Sequence, residues 1–186
     1  MTSETTNAPS ARTDRIREAR AARTGVLVGG RRFELAPHHC FACGELNEHG
    51  LKLALHGDEN GCWTELVLDS RFEGWDGLAH GGILATILDE VQAWAVIARG
   101  GWGVTAKMAI EFKRPVPVGV VIRAEGRVTL SRRRIHETAG RIVDPARGTV
   151  YASAASTFIA ATEERRAELA ARYRLGPVDL SGRVDG

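Results

Sequence analysis

With 186 residues, 44% hydrophobic and 26% charged, the chain is long enough for one domain with a real core, and its composition is that of an ordinary globular protein rather than a disordered or fibrous one. The net charge of +2 is uneven: residues 11–32 hold seven arginines against Asp14 and Glu18, so the remaining body is close to neutral and lacks the basic balance of a folded nucleic-acid binder. Three cysteines, Cys40, Cys43 and Cys62, with no apolar stretch near the N-terminus to act as a secretion signal, lead us to expect a cytoplasmic, reduced protein.

In chain order, residues 1–32 read as a flexible, arginine-rich leader. Residues 33–50 carry turn residues without a sustained period and read as loop. LKLALH at 51–56 alternates Leu51, Leu53 and Leu55 with Lys52, Ala54 and His56, and CWTELVLD at 62–69 repeats that period. The two predict a hairpin around the turn GDENG. Residues 70–79, SRFEGWDGLA, are a loop that delivers the chain to the most distinctive stretch, HGGILATILDEVQAWAVIA at 80–98.

That stretch predicts one helix, entered through two glycines and apolar nearly all round, as a buried core helix is. It is not a membrane span, because Asp89, Glu90 and Gln92 sit at its centre, where charge costs most. On a wheel of about 100° per residue, Leu84, Ile87, Leu88, Val91 and Ala95 form one stripe. Asp89 lies opposite, beside Ala85, Thr86, Ala93 and Val96, a small apolar face that lets another backbone approach. A carboxylate there suits a general base or nucleophile, although the same wheel is also that of a solvent-facing edge.

Arg99-Gly100-Gly101 ends the helix. VTAKMAIEF follows as a strand with Val104, Ala106, Met108, Ile110 and Phe112 on one face and Thr105, Lys107 and Glu111 on the other. The two prolines of KRPVPVG break it. VVIRAEGRVTL, RIHETAGRIV and TVYASAASTFIA are three more strands, with DPARG as a turn between the last two. Residues 162–175 predict a terminal helix, followed by a disordered tail. The sum is an α+β domain over 33–161, one long buried helix wrapped by a curved antiparallel sheet of about six strands, with 162–186 as an appendage.

Glycines at a helix start expose backbone N–H groups where the helix dipole is positive, a setting for a polarised carbonyl or a phosphate; they also serve a tight turn. Asp89 lies eight residues beyond Gly81, about 12 Å along the helix at ~1.5 Å per residue. An aspartate side chain does not span that distance. If both groups act on one carbonyl, they come from different chains or from a sharply bent segment; two helices lying side by side in a dimer would supply them from different chains.

Three segments carry a resemblance. HGGILATILDE, VTAKMAIEFKRPVP and CFACGELNEHGLKL, in this order and spacing over about residues 38–161, resemble the PaaI-type hotdog-fold acyl-CoA thioesterases, in particular their mitochondrial thioesterase-superfamily branch. The resemblance implies a hotdog fold, a homodimer or a dimer of dimers with sites at the subunit interface, and hydrolysis of acyl-CoA. It implies Asp89 as base or nucleophile, Gly81 with Gly82 polarising the thioester carbonyl, His80 shaping that turn, and Thr105 positioning the carboxylate or the water. Lys113 and Arg114 would meet the coenzyme A phosphates, and Trp75 and Trp102 would line the acyl tunnel. One position departs: where some of these enzymes have Asn or Gln six residues before the histidine, this chain has Gly74.

No cofactor and no metal is expected. His38, His39, Cys40 and Cys43 start like a zinc site, but no second close pair at ribbon or finger spacing follows, so the segment reads as a packed loop. Three alternatives stay open: a hydratase or dehydratase of acyl thioesters on the same fold, a non-catalytic acyl-CoA-binding module, and a zinc-dependent interaction protein.

Overall fold

The computed structural model describes residues 25–28, 31–34, 37–173 and 176–177, with side chains over 37–173. Among the described residues there are eleven strands: β1 Gly25–Val28, β2 Arg31–Glu34, β3 His56–Asp58, β4 Gly61–Val67, β5 Glu73–Trp75, β6 Leu78–Ala79, β7 Gly103–Phe112, β8 Val121–Arg132, β9 Ile135–Val143, β10 Val150–Ala160 and β11 Gly176–Pro177. Helix α1 spans Gly81–Ala98 and α2 spans Glu163–Tyr173. Six strands in the order β3-β4-β8-β9-β10-β7 make the antiparallel sheet that the sequence predicts. β1 adds to it parallel to β3, and β2 and β11 follow outward. Most of the expected leader and of the tail lies outside the described residues.

The stripe read from the wheel is the buried one: Leu84, Ile87, Leu88, Val91 and Ala95 are at most 3% exposed, packed with Leu66, Ile122, Ile142 and Ala154 of the sheet. The helix comes so close to β8 that a Cβ on Gly126 would stand 2.5 Å from the Val91 carbonyl oxygen. Gln92, fully buried, keeps both ends of its amide bonded. Its Nε2 donates to the Leu88 carbonyl at 2.9 Å, and its Oε1 accepts from the Thr138 hydroxyl at 2.8 Å. The opposite face, with Ala85, Thr86, Asp89 and Ala93, is only half-buried.

Three local readings are corrected. Residues 51–55 are not a strand. Lys52 adopts a left-handed φ of 50°, which breaks the pleat, and the Leu51 and Leu53 amides donate instead to the Phe41 and Ala42 carbonyls at 2.8 and 2.9 Å. The hairpin therefore starts at His56, opposite Trp63. Residues 70–79 are not plain loop: a 3-10 turn at Ser70–Phe72 leads into the small hairpin β5-β6, whose turn uses Gly77 at φ 75°.

The third concerns β7. Its alternation breaks at Ala106, because Thr157 of β10 pairs with Lys107 while Phe158 pairs with Thr105. The extra residue is a β-bulge, which reverses the facing of everything before it. Val104, read as sharing the face of Met108, is 71% exposed, and Thr105 turns to the helix instead. β7 is also the last strand of the sheet, hydrogen-bonded only to β10 among the described strands.

Candidate active site

Two groups of candidate residues stand along α1. At its start, His80 is the N-cap: Gly82 N–H donates to His80 Nδ1 at 2.9 Å, and the Ile83 and Leu84 amides donate to the His80 carbonyl at 2.9 and 3.2 Å. Gly82 N–H is thus committed to the cap, and Gly81 N–H is the donor left at the positive end of the helix. The Phe112 ring lies over Gly81, 3.5 Å from where a Cβ would be, so the absent side chain keeps a slot between ring and helix start.

Midway along the helix, Thr105 Oγ1 donates to Asp89 Oδ1 at 2.6 Å. The bulge at Ala106 makes this contact. One carboxylate oxygen is held by the hydroxyl, and the other is left for a proton or a carbon centre. The structure brings Asp89 and Thr105 together, and His80, Gly81 and Gly82 together, but the two groups sit one helix half apart, about 12 Å at ~1.5 Å per residue.

Gly74 lies directly against His80. A Cβ there would be 3.0 Å from His80 Cδ2 and 3.1 Å from its Cα, so a larger side chain at this position would displace the cap. Lys113 and Arg114 lie just past β7. Both backbone amides donate to the Tyr151 carbonyl, Lys113 Nζ is 3.5 Å from Glu111, and Arg114 Nη1 donates to the Val150 carbonyl at 3.4 Å. Trp75 is 83% exposed at the tip of the β5-β6 hairpin. Trp102 is far from it, stacked on Tyr173 of α2 at 6.2 Å between ring centres. A groove of about 500 Å³ lies elsewhere, lined by Trp63, Arg123, Glu125, Arg127 and Arg141, and contains none of these candidates.

A second polar cluster was not legible from spacing. Glu90, one residue from Asp89, turns to the 38–44 loop, where Cys40 Sγ is 3.9 and 4.0 Å from its carboxylate oxygens. Trp94 Nε1 donates to Glu90 Oε1 at 3.0 Å, and His38 Nε2 lies 3.3 Å from Cys43 Sγ. Burial, then the neighbouring Cys40 thiolate, pushes Glu90 up to about 7. The Cys43 thiol hydrogen-bonded to Cys40 pulls Cys40 down to about 5 against its burial. The same pairing, with burial, pushes Cys43 up. Glu90 faces Cys40 and Trp94, away from the Thr105–Asp89 pair. The only sign of this cluster in the sequence is the run of His and Cys at 38–43, because its fourth member lies fifty residues later.

Residues 76–151 match the thioesterase superfamily. Among curated proteins, the acyl-coenzyme A thioesterase THEM4 of Xenopus laevis is 32% identical over 56 residues, a stretch covering 30% of this chain and 25% of that protein. A solved thioesterase superfamily protein is 27% identical with a TM-score of 0.62, over 65% of this chain and 60% of that one. A Streptococcus pneumoniae hypothetical thioesterase solved with coenzyme A is 21% identical with a TM-score of 0.53, over 55% of this chain and 82% of that one. The matched part of this chain therefore spans only a quarter of the curated relative and three fifths of the first of these structures. Taken with the six-stranded sheet around one helix, these matches bear out the hotdog fold and the resemblance to the hotdog thioesterases.

Proposed function

We propose that this chain, which has the hotdog fold and the thioesterase-superfamily match, hydrolyses acyl-CoA thioesters to the free acid and coenzyme A. The observation that carries the reading is the Thr105–Asp89 hydrogen bond. It fixes a carboxylate on the half-open face of the same helix whose glycine start offers a free donor. The coenzyme A bound by the pneumococcal neighbour and the acyl-CoA activity in the name of the Xenopus relative support the substrate class.

The two groups on one helix are too far apart to act on one carbonyl, so the reading includes a dimer with antiparallel α1 helices. Each site then takes Gly81 from one chain and Asp89 from the other. The half-buried face with Ala85, Thr86 and Ala93 is small enough for such an approach. β7, which holds Thr105 against Asp89, is the last strand of the sheet among the described strands, and its open edge beside that face supports the same side of the molecule as the contact.

In such a site the thioester carbonyl oxygen accepts from Gly81 N–H, and the α1 dipole favours the negative charge that develops on it. Asp89 takes a proton from water as the water oxygen bonds to the carbonyl carbon; alternatively the carboxylate attacks first and water resolves the anhydride. The C–S bond then breaks, coenzyme A leaves as the thiolate and is protonated, and the acyl group leaves as the acid. Thr105 holds Asp89 in one rotamer. His80 holds the glycine turn. Lys113 and Arg114, exposed beyond Phe112, would meet the coenzyme A phosphates, and no cofactor enters any step. The three free cysteines support the cytoplasmic location that we include in this reading.

Free-thiol release from short, long and aromatic acyl-CoAs, with the native chain and Asp89→Asn side by side, tests this. Release by the native chain and a loss on the order of 10²-fold or more in the variant is expected. Equal release by both would remove Asp89 from the chemistry. Gly74 favours a second reading, a non-catalytic acyl-CoA-binding module, since the loop supplies no amide at that position. Tight acyl-CoA binding without thiol release would identify it.

A further inference from the structure

We propose that His38, Cys40, Cys43 and Glu90 bind one zinc ion, closing a four-ligand site that pins the 38–44 loop to the middle of α1. The proposal is independent of the thioesterase reading and reverses the expectation of a metal-free loop.

The donor atoms of His38, Cys40 and Cys43 all lie within 4.8 Å of one another. His38 Nε2 is 3.3 Å from Cys43 Sγ, and Cys40 Sγ is 3.9 Å from the nearer Glu90 oxygen. A tetrahedral zinc ion with Zn–S of about 2.3 Å and Zn–N or Zn–O of about 2.0–2.2 Å sets ligand–ligand edges of roughly 3.3–3.8 Å. The His38–Cys43 separation equals such an edge and the Cys40–Glu90 separation is close to one; Glu90 lies outside the 4.8 Å group formed by the other three, so its carboxylate has to swing inward to close on the ion.

The backbone is arranged for the same end. The loop turns sharply enough that Gly44 N–H donates to the Cys40 carbonyl at 2.9 Å, and a Cβ on Gly44 would stand 2.4 Å from both Cys40 N and the His38 carbonyl oxygen. Glycine is required there, and the turn it permits brings the two sulfurs of C-F-A-C to one side. Outside the ligands, Trp94 Nε1 anchors Glu90 Oε1 at 3.0 Å. The edge of the His38 ring meets Tyr173 at 5.8 Å between ring centres. Groups that orient a ligand in this way are what a metal site needs around it.

The donor set selects the ion. Two thiolates and an imidazole favour zinc over calcium or magnesium, and a carboxylate completes the tetrahedron. Four protein ligands leave no position for water or substrate, so the role is structural. Zinc here ties together segments fifty residues apart, at the helix position next to Asp89. Through His38, Tyr173 and Trp102 it also bears on how α2 packs.

The test uses the full chain, purified with reductant and without chelator. After desalting, elemental analysis is expected to find about one zinc per chain. Cobalt(II) added to the stripped, reduced protein is expected to give the intense visible bands of a tetrahedral ion with thiolate-to-cobalt charge transfer. Glu90→Gln, which keeps an acceptor for Trp94, is expected to weaken zinc roughly tenfold or more and to change the cobalt spectrum. Cobalt spectra of the native chain carry the test even if a cysteine variant fails to fold. Less than about a tenth of a zinc per chain together with an octahedral cobalt spectrum would overturn the proposal. So would a Cys40–Cys43 disulfide in the protein as isolated. An unchanged zinc affinity in Glu90→Gln would overturn the four-ligand site.

Discussion

The Thr105 hydroxyl reaches Asp89 at 2.6 Å only because β7 carries one extra residue, Ala106, against its neighbour β10. Without that bulge Thr105 would point away from α1 and Val104 would point in. The contact is therefore a product of strand register and not of chain proximity. Thr105→Val keeps the shape of the side chain and removes the donor. Its expected effect is a fall in kcat on the order of 10²-fold, since a carboxylate freed to change rotamer loses its alignment. KM should change little, and Thr105→Ser should recover most of the rate. A variant as active as the native chain in thiol release would show the hydroxyl to be incidental.

Gly74 touches the other half of the site. Its Cα sits so close to His80 that Gly74→Ala pushes on both the ring and the backbone of the N-cap. The Gly82 N–H then loses its acceptor, which costs about 1 kcal/mol for a typical cap. A lower melting temperature with a raised KM or lowered kcat is expected, because the same turn presents Gly81. Unchanged melting and activity would mean that the loop gives way without moving His80.

Much of this was legible in the sequence. The buried stripe of α1 is a 3.6-residue period uninterrupted by charge, and Leu84, Ile87, Leu88, Val91 and Ala95 are all in the core. The strands from 103 to 160 alternate clearly and were found within a residue or two. What stayed hidden depends on events that leave no period. Lys52 looks like the polar partner in LKLALH, yet its left-handed φ ends the pleat. The bulge at Ala106 reverses Val104 and Thr105 without any glycine or proline to announce it. Glu90 adjoins Asp89 in sequence, yet its partner Cys40 is fifty residues earlier. Only the fold decides what a helix residue faces across such a gap.

The buried pair of Gln92 and Thr138 offers a test of packing apart from catalysis. Thr138→Val leaves Gln92 Oε1 without its donor in a place sealed from water, and a loss of about 1–3 kcal/mol is expected in chemical denaturation. Gln92→Leu together with Thr138→Val removes both partners, and the pair should be less destabilised than the sum of the single variants. Strict additivity would show that the two groups do not depend on each other.

Glu125 sets a dependence on pH. Burial pushes its carboxyl up, but hydrogen bonds from Arg123 and Arg141, at 2.6 and 2.8 Å, pull harder and hold it below the ordinary glutamate range. Arg123 also pairs with Glu65 at 3.2 Å and lies over the Trp63 ring at 4.2 Å, which keeps the guanidinium in place. In the unfolded chain Glu125 titrates at its ordinary value, near 4.3. Between that value and the lower folded one, the unfolded state binds more protons. The stabilisation is therefore complete above the ordinary value and is lost as pH falls through the folded one. Glu125→Gln should lower the melting temperature clearly at neutral pH and much less near pH 3, with the neutral-pH difference shrinking in high salt because the network is partly solvent-exposed. Melting curves of both proteins across that range decide the matter. A difference that stays constant with pH would mean that Glu125 acts through packing and not through its charge.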